Sequence, residues 1–421
     1  MTPDRPPLAA APAPLWRQRE YMLLWSGQVV STLGSHAAGI VVPLLILAMT
    51  GSASAAGLAT ALGILPYILL SLPVGVWVDR WDRQRVMVVC DVARAGVSAT
   101  VLLALLLDRL TLPHLYAVSL VQGTLMVFFN LAEVAALPRV VDKAQLPQAI
   151  GQNQAGHSAA AIAGPALGTW LLQQGGRAWP FAVDALSYAV SAVCVWRLKT
   201  PLRSAPAAGR RNLRAEMAVG LRWLWQQPLV RHMAAITCLS NFVSAAVPLL
   251  LIVLAKAQGA GEAQIGLVFS AGGVGGLLGA LAGGWISRRW RFGQVITGTL
   301  AVQALLLPLL VWVPGPAGLA AVFAVYAFCG PVYNVVQLSR RLAMIPDGLQ
   351  GRVNSAFRLA ANLLYPVGAG LCGVLAEQAG ARVTVAVFGA VAAALAVASA
   401  LSRVVRREGL DDDPPPGSSG H

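Results

Sequence analysis

The sequence predicts an all-α integral membrane protein: twelve transmembrane helices forming two six-helix bundles about a pseudo-two-fold axis along the membrane normal. Composition is the first reason. The 421 residues are 57% hydrophobic and 11% charged, with mean hydropathy +0.66, against roughly 25% charged in a soluble domain. The second is that the apolar residues gather into twelve runs, each near the roughly 20 residues a helix needs to cross the hydrocarbon. The third is that parts of the first half return in the second.

The runs fall at 21–48, 54–78, 86–107, 114–137, 148–172, 179–196, 229–254, 263–286, 293–312, 317–337, 351–376 and 382–401. Within the bilayer every backbone N–H and C=O must be paired inside the segment, so such runs fold as helices. The period-two strands of outer-membrane proteins are not seen. Residues 1–15 are proline-rich and read as a disordered cytoplasmic tail, with no cleavable signal peptide because the first apolar run is too long for one. Residues 406–421 read as a second disordered cytoplasmic tail. Between them lie an N-terminal bundle (16–197), a cytoplasmic linker (198–227) and a C-terminal bundle (228–405). The linker carries a helical pattern from Asn212 to Trp225, with Leu213, Met217, Leu221 and Leu224 on one side. It is expected to lie on the cytoplasmic membrane surface.

The formal charge of +14 raises nucleic acid as a partner, and its placement removes it. With the N-terminus inside, 25 of the 31 lysines and arginines fall in inner segments, while Arg109, Arg177, Lys256 and Arg382 are outside and Arg94 and Arg358 lie within spans. That asymmetry puts both termini in the cytoplasm and the chain in the inner (plasma) membrane. The five cysteines sit in apolar runs without metal-type spacing, so no disulfide, metal or cofactor is expected. No GxxxxGK[ST] phosphate loop occurs, which argues against direct ATP drive. The expected partners are a small-molecule substrate, protons and the lipid bilayer. The chain is read as a monomer and not as an enzyme.

Repeat evidence is local. Pro43-Leu44-Leu45 echoes Pro248-Leu249-Leu250, FFNLAEVA at 128–135 echoes VYNVVQLS at 332–339, and Pro165 matches Pro366. The charged turn GVWVDRWDRQR at 75–85 has a degraded echo, GGWISRRWR, at 283–291, which lacks the aspartate. In span eight, Gly272, Gly275, Gly276, Gly279 and Gly283 recur at three- and four-residue spacing. Such a face lets another helix backbone approach closely, as a sliding surface or as plain tight packing.

From about residue 16 to 405 these features resemble the major facilitator superfamily, and within it the branch of macrolide efflux proteins and the enterobactin exporter. The superfamily pattern G-x-L-a-D-r-x-G-r-k after span two stands here as Gly75, Trp77, Asp79, Arg80, Asp82, Arg83 and Arg85. Asp82 replaces the turn glycine, as in the DRxDRR-like form of that branch. Asp91 and Arg94 extend the resemblance. It implies a cytoplasmic gate in which Asp79 meets the N-terminal end of span eleven, near Gly351-Arg352, where exposed N–H groups and the helix dipole favour a carboxylate. For the loop arginines, positive-inside topology is explanation enough. Asp91 and Arg94, at i, i+3 spacing, either pair or join that gate.

Span five resembles the GPxxGG-like segment of the superfamily's antiporters through Gly164, Pro165 and Gly168, with Thr169 where the last glycine would stand. The resemblance implies export by antiport; a proline kink with small residues for packing remains the other reading. It further implies that spans one, four, seven and ten line the central cavity. Glu133 in span four is then the candidate protonatable carboxylate, able to trade a proton for a cationic substrate, and its repeat counterpart is Gln337. A salt bridge from Glu133 to Arg139 or Arg94 stays open. His36 and His157 fall closest to the midplane, as titratable groups or as hydrogen-bonded packing histidines. Asn130, Asn241, Asn334 and Gln337 are candidate substrate ligands. Arg358 and Asp184 are charged but less central.

The expected function is a secondary active transporter: a proton-coupled exporter of small amphipathic molecules such as drugs, macrolides or siderophores, working by alternating access. An uncoupled facilitator or an importer is the alternative. A membrane sensor or scaffold fits poorly, because no output domain is attached.

Overall fold

The computed structural model describes residues 14–202, 213–346 and 349–402, apart from the side chains of Leu72, Asp79 and residues 213–216. The described residues are helical throughout, without a strand. The first half holds α1 (Arg19–Thr50), α2 (Ala53–Arg80), α3 (Arg83–Leu106), α4 (Leu112–Val140), α5 (Leu146–Gly175) and α6 (Trp179–Trp196). After α7 (Leu213–Gln226) come α8 (Pro228–Ala257), α9 (Glu262–Arg289), α10 (Phe292–Trp312), α11 (Gly315–Met344), α12 (Gln350–Asn362), α13 (Tyr365–Gln378) and α14 (Gly380–Leu401).

Local chemistry sets several boundaries. Gly51 ends α1 at φ 67°, a left-handed conformation that glycine adopts without a Cβ penalty. Ser52 then caps α2, its hydroxyl accepting the Ala55 N–H at 3.1 Å. Asp82 caps α3 by accepting from the N–H groups of Gln84 and Arg85 at 3.0 and 3.3 Å. The aspartate that replaces the turn glycine is therefore a helix start. The eleventh apolar run is broken between Asn362 and Tyr365. Pro366 has no N–H to give the preceding turn, and at the same break Asn241 donates to the Ala361 carbonyl at 2.9 Å.

Among the described residues eleven segments, with α12 and α13 taken together, are long and apolar enough to cross a membrane. The exception is α5, whose first turns carry Gln148, Gln152, Asn153, Gln154 and His157. Two of these polar groups have protein partners: Asn153 on α4 and His157 on α1. Helix α5 packs between α1 and α9.

The two halves repeat one pairing scheme. In the first, α1 packs on α5 and α6, α2 on α4, and α3 on α4 and α6; in the second, α8 packs on α12, α13 and α14, α9 on α11, and α10 on α11 and α14. The halves meet along two seams, α5 with α9 and α2 with α13. Their cores are unequally shared. One buried cluster crosses both halves at the end where α1 and α8 finish, including Leu44, Leu45, Leu250 and Leu251. At the other end each half has its own, one around Met87 and Phe129 and one around Met233 and Phe357. The molecule is thus joined at one end and divided at the other.

The glycine stripe of α9 points mostly inward to its own half. A Cβ at Gly275 or Gly279 would collide with the carbonyl of Ala324 or Phe328 on α11, and Gly272 lies against Phe323. This is tight intra-half packing rather than a surface between halves. The seam uses other glycines: a Cβ at Gly273 would lie 2.9 Å from the Ala161 carbonyl of α5, and one at Gly266 would meet Thr169 and, at 2.8 Å, the Pro165 carbonyl. Helix α7 docks on α12, with Gly220 set against the Arg352 carbonyl, while Leu221 and Trp225 remain exposed.

Candidate substrate and proton site

A cavity of about 250 Å³ lies between the halves, just beneath the shared core. Helices α1 and α8 supply matched walls, with Pro43 on one and Pro248 on the other. Helices α2, α5, α9 and α13 complete it, through Thr60, Pro165, Phe269 and Ala369 among others; α4 and α11 do not reach it. Its polar side chains are Ser35, His36 and Thr60, all from the first half, so one wall can hydrogen-bond while the facing wall is apolar. Of the two histidines expected near the midplane, His36 opens on this cavity. His157 lies 3.2 Å from Gln28 on α1.

Glu133 lies elsewhere, 6% exposed in α4 and turned toward α1 and α5. Asn153 donates to its Oε1 at 3.3 Å, and Gln28 is its second partner. Tyr21 bonds the Asn153 amide oxygen at 3.4 Å and the Ala149 carbonyl at 3.3 Å. Tyr21, Asn153, Glu133, Gln28 and His157 thus form a continuous polar cluster across three helices. No salt bridge joins Glu133 to Arg139 or Arg94 among the described side chains.

Asp91 and Arg94 belong to a different group. Asp91 is fully buried in α3 with neither carboxylate oxygen hydrogen-bonded, and it lies within the field of Arg94 and beside Ser191. Arg94 donates Nε to Gln122 at 3.1 Å and lays its guanidinium 4.1 Å from the centre of the Tyr188 ring. Asp184 on α6 accepts from Ser98 at 2.5 Å and also feels the Arg94 charge. Tyr188 reaches Ser35 at 2.7 Å, tying this cluster to the cavity wall. The cluster sits among α1, α3, α4 and α6, away from both seams.

Of the charged turn, Gly75 has open space where a Cβ would be. The Asp79 side chain lies outside the described residues, and its expected contact with α12 remains a proposal. Arg83 is buried and donates Nη1 to the Ala135 carbonyl at 2.9 Å. Arg80 and Arg85 line a crevice with Trp81, Val89 and Phe128. Trp77, Trp81 and Phe128 stack with centroids 6.1–6.2 Å apart.

In α5, Gly164 packs on His36 and Gly168 on the Ala37 carbonyl, so this segment is fitted to α1. Thr169 bonds the Pro165 and Ala166 carbonyls at 2.9 and 3.2 Å and faces Gly266. The departure from the glycine pattern therefore lies on the α5–α9 seam. Asn130 is half-buried and Asn334 exposed, while Asn241 is committed to the α12–α13 break. Gln337 is 3% exposed, with its Nε2 unpartnered. Arg358 crosses between halves at the divided end, where its guanidinium donates to the Tyr67 hydroxyl of α2.

The sequence reading missed Gln28, Asn153, Ser98 and Gln122, each polar within a span. Their signal was the same as that of Glu133: a hydrogen-bonding group placed where lipid supplies no partner. It also missed Glu377, which accepts from the Ser52 hydroxyl at 2.5 Å and the Ser54 N–H at 2.9 Å across the joined end.

Long apolar helices in two repeating sets with a cavity between them, and ionisable groups buried within the first set, define a multi-pass membrane transporter. The comparisons give the family. The chain belongs to the Major Facilitator Superfamily, whose family model matches residues 24–363 and 233–419. It is 25% identical over 363 residues to the enterobactin exporter EntS of Salmonella typhimurium, covering 84% of this chain and 85% of that one. It is 28% identical over 380 residues to the multidrug efflux pump Tap of Mycolicibacterium fortuitum, covering 86% and 90%. Among solved structures, a point mutant of the nucleoside transporter NupG superposes with TM-score 0.77 at 11% identity, covering 90% of this chain and 99% of that one. A bacterial homologue of the iron transporter ferroportin, in an inward-facing state, gives 0.70 at 17% identity, covering 93% and 98%.

Proposed function

We propose that this protein is a proton-coupled exporter of small amphipathic molecules, with twelve spans in two bundles across the inner (plasma) membrane and both termini in the cytoplasm. The reading of direction draws on its similarity to an exporter and an efflux pump. The reading of coupling rests on Glu133. A buried carboxylate is costly unless neutralised or well paired, and Glu133 is held by two neutral amides with no described cation beside it. Such a group is suited to take up a proton and give it back, as a carrier exchanging protons for substrate requires.

With the N-terminus inside, the joined end faces outward and the divided end faces the cytoplasm. A molecule then enters between the halves from inside and rises toward the cavity at Ser35 and His36. The halves rock, the outer seam parts and the inner ends close. Asp79 is the proposed inner latch, meeting the start of α12. The mixed cavity, polar on α1 and apolar on α8, suits a molecule with one polar and one greasy face.

Inverted vesicles carrying the protein test this directly. Acidifying the lumen is expected to drive uptake of an exported dye. Glu133→Gln is expected to abolish that uptake while sparing exchange between pre-loaded and external dye. Unchanged pH-driven uptake in the variant would move the proton site away from Glu133.

A further inference from the structure

The second half carries a counterpart of the Glu133 cluster with different chemistry. At the offsets set by the repeat, Glu133 corresponds to Gln337, Asn153 to Asn354, and Gln28 to Met233, beside His232. In the first half the cluster is hydrogen-bonded. In the second, Gln337 Nε2, Asn354 Oδ1 and His232 Nε2 are buried atoms without a hydrogen-bond partner. Leaving such groups unpaired is expensive.

Positive charge gathers at the same place. Arg341 follows Gln337 by four residues, on the same face of α11. It is 5% exposed, its Nε is unpartnered, and its guanidinium lies 3.7 Å from the centre of the Phe357 ring on α12. Arg358, the next residue on α12, acts on Arg341 through its charge and opens on the crevice between the halves. Between 228 and 402 the sequence offers three carboxylates. Glu262 begins α9 and Glu377 nearly ends α13, both at the joined end, and Asp347 falls in the α11–α12 connection outside the described residues. Two guanidinium groups, within reach of each other's charge, and an unpartnered amide donor thus lie at the divided end, and among the described residues of this half no carboxylate lies there with them.

We propose that Arg341, Arg358 and Gln337 form an anion site that holds the carboxylate or phosphate group of an amphipathic molecule in transit. Paired guanidinium groups suit such oxygens through charge-assisted hydrogen bonds, and a desolvated cation gains most from a counter-charge. The site lies on the cytoplasmic entry route, so this inference rests on the export reading. A lipid headgroup carries the same chemistry and is the alternative source.

The test measures equilibrium binding of 2-naphthoate and of 2-naphthylmethylamine, rings matched and charges opposed, to the full chain in phosphatidylcholine nanodiscs. Naphthoate is expected to bind saturably and the amine at least about tenfold more weakly, a difference within reach of one charge-assisted contact. Arg358→Gln is expected to weaken naphthoate by about tenfold, and Arg358→Lys to restore part of the loss. Arg358 is the decisive position because it is exposed; Arg341→Gln is the second variant, judged only if it elutes and melts as the parent does. Equal binding of the amine, absent naphthoate binding, or unchanged naphthoate binding in Arg358→Gln overturns the site. Competition by added phosphatidylglycerol assigns it to a lipid and overturns the role in transit; indifference to that lipid supports a transported anion. Proton-driven accumulation separates the two readings. Amine accumulated without naphthoate binding overturns the anion site and leaves export standing, whereas naphthoate bound but never accumulated keeps the site and counts against export.

Discussion

The two ends of the α2 seam are built differently. At the joined end, α2 and α13 touch backbone to backbone: a Cβ at Gly373 would lie 2.5 Å from the Ala53 carbonyl, and one at Gly57 would lie 2.7 Å from that of Ala369. Glu377 adds a carboxylate over the first turn of α2, where free N–H groups and the helix dipole receive it. At the divided end the described contact is Arg358 with Tyr67, the guanidinium 5.7 Å from the ring centre. One end is closed by shape and charge together; at the other, among the described side chains, an arginine reaches across. If the protein alternates access as proposed, this asymmetry leaves it resting open on the side where its seam is weaker.

Bulk at the tight end is the most severe way to break the comparison. Gly373→Leu cannot be accommodated against Ala53, and it is expected to abolish transport while leaving each half folded. A cysteine placed at Thr60 should then react with an impermeant maleimide added from outside; continued protection would show that the seam tolerates the side chain. Asp79→Asn comes next. If Asp79 is the inner latch, the variant should lose most energised uptake and spend less time closed to the cytoplasm, read as faster labelling of a cysteine at Ser355. Uptake at the parental rate in a folded protein would remove the latch. Glu377→Gln removes charge from the joined-end contact but keeps its shape, so a severalfold rise in outside labelling at Thr60 is expected if that end faces outward as proposed, short of that in Gly373→Leu. Smallest is Tyr67→Phe, which deletes one hydroxyl. A change of less than about tenfold in inside labelling is expected, in keeping with a single hydrogen bond; a larger effect would make Tyr67–Arg358 the main inner lock.

Much of the architecture was legible because lipid leaves a chain few options. Apolar runs long enough to span mark the helices, and proline and glycine mark where they stop. The reading faltered where partners come from afar. Nothing local in the run 351–376 indicates that Asn241, more than a hundred residues earlier, bonds the Ala361 carbonyl where the run is broken. The glycines of α9 revealed a close contact but not with which helix, since spacing fixes a face and not its neighbour. Glu133 was visible as a carboxylate in a span, whereas its pairing with Gln28 and Asn153 depends on how three helices rotate about their axes. Glu377 escaped notice because a residue at a span's end reads as ordinary surface until the other half is seen docked upon it.

The contact of α9 with α11 has a mechanical consequence. With carbonyls of α11 seated in the glycine notches of α9, the two helices cannot rotate or shear without raising backbone into backbone, so the pair behaves as one stiff beam. Helix α9 is also the member that meets α5 across the seam. Any swing of the second half is therefore delivered to the first as the tilt of a rigid edge, pivoting where Gly266 rides on Thr169, and the bending must be found in other members, of which the broken α12–α13 strut is the one with a joint already cut into it.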